Sequence, residues 1–502
     1  MAYYKPSAYR NINFRDLLDN KKGEAYINRF AKSLYKNHSQ FIERWYKITG
    51  EAKEIYPSQG LLVTPFDYLP YLGKTILSDE KLWQTLMTRW YLLELFNHPD
   101  RLTNLEKVEK NQFVAPQKVN CKVMTTALKE GLSLSVYDLG MNVVGTDESR
   151  ISRRQLLEQG PFVKLGKYAR IPFSGGAMPD IFGSVASIAS MAMCHGLVCL
   201  PRNGMFSDIK RQTDLARESI IWMEEEPLLT MRKDKDNLLK RWQHNLVGVI
   251  EPDHGTSIIR AKSLFKAGIR FFRVYSPEPG KEALLTVQNL RKEFGKEIEI
   301  FAGQVASVKQ AYSLEKAGAD GLYLGIGGGG RCITAMRSGS TVNWPELLWQ
   351  MRGEINIPSI IEGGASEQIG VTLLLGASGI GVTRMAGGGT IESPGGLMYL
   401  VDDKGKWFKP YGGEASARTK YQDGKVMAFG IPSFVEGETT KAFKSYVPHV
   451  QPTLTENILL LLEDVVLSMV FRGASSIAQL QNINPSPLRR ITPAGFMIQR
   501  TH

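Results

Sequence analysis

Cys332 closes the run Leu324-Gly325-Ile326-Gly327-Gly328-Gly329-Gly330-Arg331, and Thr334 lies two residues beyond it. Four consecutive glycines leave backbone N–H groups unshielded and allow positive φ. Such a loop can wrap a phosphate or hold a cation through its carbonyls. A thiol among oriented N–H groups has a depressed pKa, so Cys332 is a candidate nucleophile with Thr334 in the same small volume. The alternative for the same residues is a flexible turn around a small packing thiol. Glu362 stands between Ile360-Ile361 and Gly363-Gly364, and a carboxylate at a strand end needs a partner, a ligand being one. Arg331 and Arg384 place two guanidiniums near one glycine loop, which suits a dianionic ligand. His254 follows another strand; it suits acid–base chemistry or simply fills a loop. Glu436 is a weaker candidate, because Glu438 lies two residues on and a solvated charged loop explains both. Cys194 and Cys199 flank His195, but their spacing fits no closed zinc pattern.

These residues sit in a text of short apolar strands alternating with amphipathic helices, beginning at about residue 130. Strands are expected at Ala169–Phe173, Leu197–Leu200, Val247–Glu251, Arg270–Tyr275, Glu297–Phe301, 319–323, Pro358–Ile361 and Gly379–Thr383. Ala302-Gly303-Gln304 is expected to turn, and helices are expected at Val185–His195, Ser257–Gly268, Lys281–Phe294, Ser307–Gly318 and Ser366–Leu375. The alternation predicts a parallel sheet. Eight such units close an α/β barrel, the (β/α)8 TIM barrel, whose functional loops sit at the carboxyl ends of the strands. Every Gly-rich or polar loop named above falls there.

Residues 1–125 differ: they are rich in aromatics, Lys and Arg and poor in Gly, with helical apolar spacing at Ala25–Tyr46 and Asp79–Phe96. A mostly helical N-terminal region is expected, broken at Pro57–Gly73, with Trp83, Trp90 and Tyr91 in core or interface. The barrel domain then occupies 126–502. Over the whole 502 residues, 43% hydrophobic and 22% charged residues are ordinary for a globular protein. A net charge of +12 favours anionic ligands such as nucleotides, but no Lys/Arg run interleaved with aromatics marks a nucleic-acid partner. Four cysteines in so long a chain point to a reducing, cytoplasmic setting. No signal peptide is visible, and the most apolar run, Ile458–Phe471, is too short to span a bilayer. Thr453 with Glu456 reads as its capping box.

From about Gly131 onward the chain resembles the inosine-monophosphate dehydrogenase / guanosine-monophosphate reductase family. The resemblance rests on Ile171–Met178, Ala267-Gly268-Ile269, 327–334, Ile360–Gly364, Gly376-Ala377-Ser378, Gly389–Gly396, Lys406–Gly413 and Arg490–Gly495, in that order and spacing. It implies Cys332 as the nucleophile at the purine C2, Thr334 as the neighbouring proton handler, and Glu436 on the base edge. Glu362 stands where the family has an aspartate on the ribose hydroxyls, while Tyr411 and Gly412 match the segment near the phosphate. Met178, Gly330, Arg331, Gly363, Gly364, Thr383 and Arg384 complete the implied nucleotide pocket. The resemblance further implies NAD or NADP near Ser276, Gln304, Gly325 and Gly327. It allows a potassium-like cation on the carbonyls of Gly327, Gly329 and Cys332, a flap at about 400–440, and a tetramer or octamer.

The departures are as specific. The family's loop reads Gly-Ser-x-Cys where this chain has Gly330-Arg331-Cys332, and Thr383-Arg384 replace a Gly-Ser pair. Ser276–Gly280 replace the nicotinamide-side aspartate, and Lys420-Tyr421 stand for the Arg-Tyr pair that activates water. The link from Asn203 to Asn245 is too short for the family's tandem regulatory insert. Two functions follow from the sequence: a purine-nucleotide oxidoreductase, or a catalytically altered barrel that binds nucleotide or acts as a scaffold.

Overall fold

Eight parallel strands close on themselves in chain order: β1 Phe173–Gly175, β2 Leu197–Leu200, β3 Leu246–Ile250, β4 Phe271–Tyr275, β5 Glu299–Val305, β6 Gly321–Leu324, β7 Ser359–Ile361 and β8 Gly379–Gly381, with β8 bonded back to β1. The structure, a computed structural model, describes residues 29–30, 79–110, 115–142, 151–230, 232–253, 255–275, 280–326, 334, 338–339, 343–396, 400–401, 407–409, 412–416, 419, 452–492 and 494. Helices follow the strands around the outside, so this is the (β/α)8 barrel that the alternation predicts. Among the described residues no helix is long and apolar enough to cross a membrane.

Alternation within each strand sorts the side chains into two cores. One residue in two points inward, and Leu197, Cys199, Val247, Val249, Phe271, Phe301, Tyr323 and Ile360 fill the barrel. The rings step round it edge-to-face, Phe271 to Phe301 at 4.8 Å and Phe301 to Tyr323 at 6.1 Å. The other residues join the larger core between sheet and helices. Leu165 and Ala169 seal the amino-terminal end, where Glu299 accepts the Lys167 N–H and lies 2.7 Å from His244 Nε2.

Two strands are displaced from their expected places. The first runs Phe173–Gly175, not Ala169–Phe173, because Arg170 and Ile171 donate their N–H groups to the His195 carbonyl instead of entering the sheet. The fifth runs through Ala302–Gln304, where a turn is expected, with its register to β6 shifting between Ala302 and Val305. Gly303 makes this possible: at φ +154° a Cβ would lie 2.2 Å from the Tyr323 carbonyl oxygen, so only glycine passes.

Three helices lock the described N-terminal part onto the barrel: α1 Asp79–Phe96, α2 Val185–Met193 and α3 Leu454–Val470. In α1, Leu86, Trp90, Leu93 and Phe96 are buried, as helical spacing and aromatic content imply. Arg89, on the same helix, is 0% exposed; its Nε donates to Glu392 Oε1 at 2.8 Å and its Nη2 to Ser190 Oγ. The other Glu392 oxygen accepts the Leu454 N–H at the start of α3. Thr453 caps α3 by accepting the Glu456 N–H, as the capping box predicts. Leu139–Met141 pairs antiparallel with Leu488–Arg490.

His195 turns the chain from α2 into β2 at φ +66° and is buried. Burial, then the Arg241 and Arg101 charges, pushes its pKa down to about 3. The folded state therefore requires neutral imidazole. Stability from this group is complete above about pH 6.5 and drains as pH falls toward 3, at about 1.4 kcal/mol per pH unit. His195→Asn keeps a side chain tolerated at positive φ and does not titrate. Its melting temperature is expected to fall less than the wild type's between pH 6.5 and 4; parallel curves would remove His195 from the acid limb.

Candidate active site

The carboxyl ends of β1, β4, β5, β6, β7 and β8 converge on one carboxylate. Glu362 follows β7, and its N–H continues the ladder by donating to the Leu324 carbonyl at 2.8 Å. That backbone bond fixes where the side chain leaves the sheet. Gly325, directly after β6, lies at φ +111°, and a Cβ there would sit 2.2 Å from the Glu362 carbonyl oxygen, so only glycine fits. The strand that feeds the glycine loop therefore runs flush against the strand that carries the glutamate.

Arg273, the third residue of β4, reaches across the barrel to this carboxylate. Nη1 donates to Oε1 at 2.9 Å and Nη2 to Oε2 at 2.6 Å, a two-pronged pair. Its guanidinium lies 3.8 Å from the centroid of the Tyr323 ring and 4.7 Å from that of Tyr275. Burial is the largest single influence on the Arg273 pKa and lowers it, but the Glu362 charge and hydrogen bond, together with Cys199 and Tyr323, outweigh it and raise the pKa well above the ordinary value. The arginine is 1% exposed and the glutamate 18%, so the carboxylate faces the mouth over a buried counter-charge.

Beneath the pair, Tyr323 Oη lies 2.9 Å from Ser174 Oγ and 3.6 Å from Cys199 Sγ. Burial pushes the Tyr323 and Cys199 pKa values up, so both stay protonated and polar without charge. Around the carboxylate, Gln304 Nε2 approaches Oε2 at 3.5 Å, and the Gly176 N–H donates to Thr383 Oγ1 at 2.6 Å. The structure thus brings Gln304, Gly325, Glu362 and Thr383 together. Gly363 accepts a hydrogen bond from Trp344 Nε1, and Gly364 caps the short helical turn after it. Met178 precedes the helix Pro179–Phe182 on the β1 side.

Arg384 has an internal partner: its Nη2 lies 3.3 Å from Glu367 Oε1, while Tyr137 Oη donates to Glu367 Oε2. A phosphate gripped by Arg384 would share it with Glu367. Gly412 donates its N–H to Asp180 Oδ2 at 2.8 Å, and Asn203 Nδ2 donates to Glu414 Oε1 at 2.7 Å, tying 412–416 to the loops after β1 and β2. Lys409 roots the same stretch, donating to the carbonyls of Thr390 and Ser393 and to Ser393 Oγ. Burial pushes its pKa down to about 7, partly offset by Glu392. Thr334 is half-buried. Cys332, Gly327, Gly329, Gly330, Arg331, Ser276, Tyr411, Lys420, Tyr421, Glu436 and His254 lie outside the described residues.

Arg273, Tyr323, Ser174 and Asp180 belong to this site but carry no role in the sequence reading. A lone arginine in the apolar strand Phe271-Phe272-Arg273-Val274-Tyr275 was the available signal, since an inward charge must find a partner.

The profile of the IMP dehydrogenase / GMP reductase domain matches residues 148–502. The inosine-5'-monophosphate dehydrogenase of Nitrosopumilus maritimus (strain SCM1) is 31% identical over 267 residues, covering 51% of this chain and 54% of that protein. The inosine-5'-monophosphate dehydrogenase of Mycobacterium leprae (strain TN) is 29% identical over 297 residues, 56% of this chain and 52% of that protein. The chain thus matches about half the length of these curated relatives.

Proposed function

The chain belongs to the IMP dehydrogenase / GMP reductase family, and from that premise we propose that it is an oxidoreductase of purine nucleotides that uses NAD or NADP. The observation that carries this reading is the Glu362 carboxylate, held by Arg273 at the mouth of the barrel between Gly325 and Thr383. A fixed carboxylate with lone pairs to spare suits a vicinal diol, so Glu362 takes the ribose hydroxyls. The glycine loop, Thr383 and the Gly412 segment receive the phosphate, with Arg331 and Arg384 adding charge and Met178, Gly363 and Gly364 shaping the wall.

In this reading the Cys332 sulfur bonds to the purine C2 and the hydrogen on C2 leaves as hydride. Thr334 handles the accompanying proton, and Glu436 orients the base edge. Water, activated by Lys420 and Tyr421, then breaks the C–S bond, and the thiol returns. A bound nicotinamide supplies the hydride acceptor. On that side the Arg202 guanidinium lies 5.8 Å from the centroid of the half-buried Tyr275 ring, a positive charge suited to a diphosphate. Ser276, Gln304, Gly325 and Gly327 would complete that half, and a potassium-like cation on Gly327, Gly329 and Cys332 would tie down the loop. The working assembly is a tetramer or octamer in the cytoplasm.

The test is a matrix of inosine, xanthosine and guanosine monophosphates against NAD and NADP in both redox states, followed by nicotinamide absorbance. Hydride transfer with one pair is the expected result. The Arg384–Glu367 ion pair favours the second reading, a barrel that binds without turning over. Nucleotide binding with no transfer from any pair would establish that reading instead.

A further inference from the structure

An aspartate is the family's residue at position 362, and the glutamate here is one methylene longer. A longer side chain has more rotamers and loses more entropy when it is fixed, so a free glutamate would be a poor acceptor for two hydroxyls at set positions. The surrounding structure removes that freedom. The Arg273 fork takes one lone pair from each oxygen of Glu362 in a planar arrangement. Arg273 is itself clamped between the Tyr323 and Tyr275 rings, and the Tyr323 hydroxyl is tied to Ser174. Small residues leave the open side clear: a Cβ on Gly381 would lie 3.2 Å from Glu362 Cγ, and one on Gly176 would lie 3.6 Å from Oε1. Only Gln304, at 3.5 Å, shares the carboxylate with the arginine among the hydrogen bonds described for it.

We propose that Arg273 is a positioning residue that holds Glu362 in its receiving orientation, and that this buried pair sets the preference of the pocket for ribose over 2'-deoxyribose. Resting on the nucleotide reading above, it adds a residue from β4 that touches no substrate yet decides which sugar is accepted. A hydroxyl donating to a fixed, charged acceptor is worth about 1.5–3 kcal/mol, on the order of tenfold to a hundredfold in affinity. A carboxylate that must first be immobilised returns most of that advantage as entropy.

The experiment measures affinities for inosine 5'-monophosphate and its 2'-deoxy analogue by titration calorimetry, on the full chain and on Glu362→Gln, Arg273→Gln and Arg273→Lys, with melting curves for each. The wild type is expected to prefer the ribonucleotide by at least about tenfold, and Glu362→Gln to erase that preference. Arg273→Lys keeps the charge without the fork. It is expected to cut the preference to below about threefold, while affinity for the 2'-deoxy analogue stays within about twofold, a split that general loosening of the barrel does not produce. Wild-type protein that does not discriminate, or a Glu362→Gln variant that still does, overturns the sugar-binding reading of Glu362 underneath. Discrimination lost in Glu362→Gln but intact in folded Arg273→Lys and Arg273→Gln overturns only the role given to Arg273. Arg273→Lys unfolding as readily as Arg273→Gln assigns the residue to the fold and overturns it as well.

Discussion

Cys332→Ala is expected to remove turnover, a loss of at least about a thousandfold in kcat, while the dissociation constant for the purine nucleotide stays within about threefold. In the proposed reading, removing the nucleophile eliminates the covalent route outright, whereas binding resides in the carboxylate and the loops. No other described thiol can take over. Cys199 is sealed in the barrel interior beside Tyr323, with burial holding it protonated. Cys194 is buried with its pKa pushed up for the same reason, and Cys121 is buried as well. Single-turnover mixing and calorimetry on the same preparation separate the two quantities. Undiminished turnover in the variant would take Cys332 out of the chemistry and leave the glycine loop as a phosphate cradle only.

The second large effect is on stability. Arg89→Ala is expected to lower stability by about 3–5 kcal/mol, because it leaves Glu392 with its guanidinium partner gone in a site where both side chains are 0% exposed. For a chain of 502 residues that is a drop of about 3–5 °C in melting temperature. The Leu454 N–H would still point at the orphaned carboxylate, but one neutral donor does not replace a charge. Arg89→Met combined with Glu392→Gln is expected to recover more than half of the loss, since the pair is then removed as a unit. A single variant that melts within about 1 °C of wild type would show that the bond between the N-terminal helix and the barrel contributes little.

Local pattern made much of this fold readable. Apolar runs of strand length, each ended by a glycine-bearing loop, are enough to place eight strands, because a parallel sheet buried on both faces writes itself as short hydrophobic stretches. The same logic put Glu362 and Thr383 at strand ends, where the structure has them side by side. What pattern could not supply was pairing across the barrel. Arg273 and Glu362 are far apart in sequence, and nothing local to Phe271–Tyr275 says that its one charge meets the residue after β7. Arg89 and Glu392 are further apart still, on a helix and a loop that touch only after the barrel has closed. The extension of β5 past Ala302 was hidden for a related reason: a glycine reads as a turn unless the neighbouring carbonyl it must clear is known.

The short ribbon that joins Leu139–Met141 to Leu488–Arg490 makes the two ends of the barrel polypeptide mutually dependent. Leu139 and Leu488 are both buried there, and the helix Lys122–Lys129 leans on the later strand. A stop codon just ahead of Leu488 would therefore undress residues near the opposite terminus, not merely shorten the tail. By the same adjacency, a circular permutant that fused these neighbours and opened the chain in a surface helix turn would keep the lacing intact.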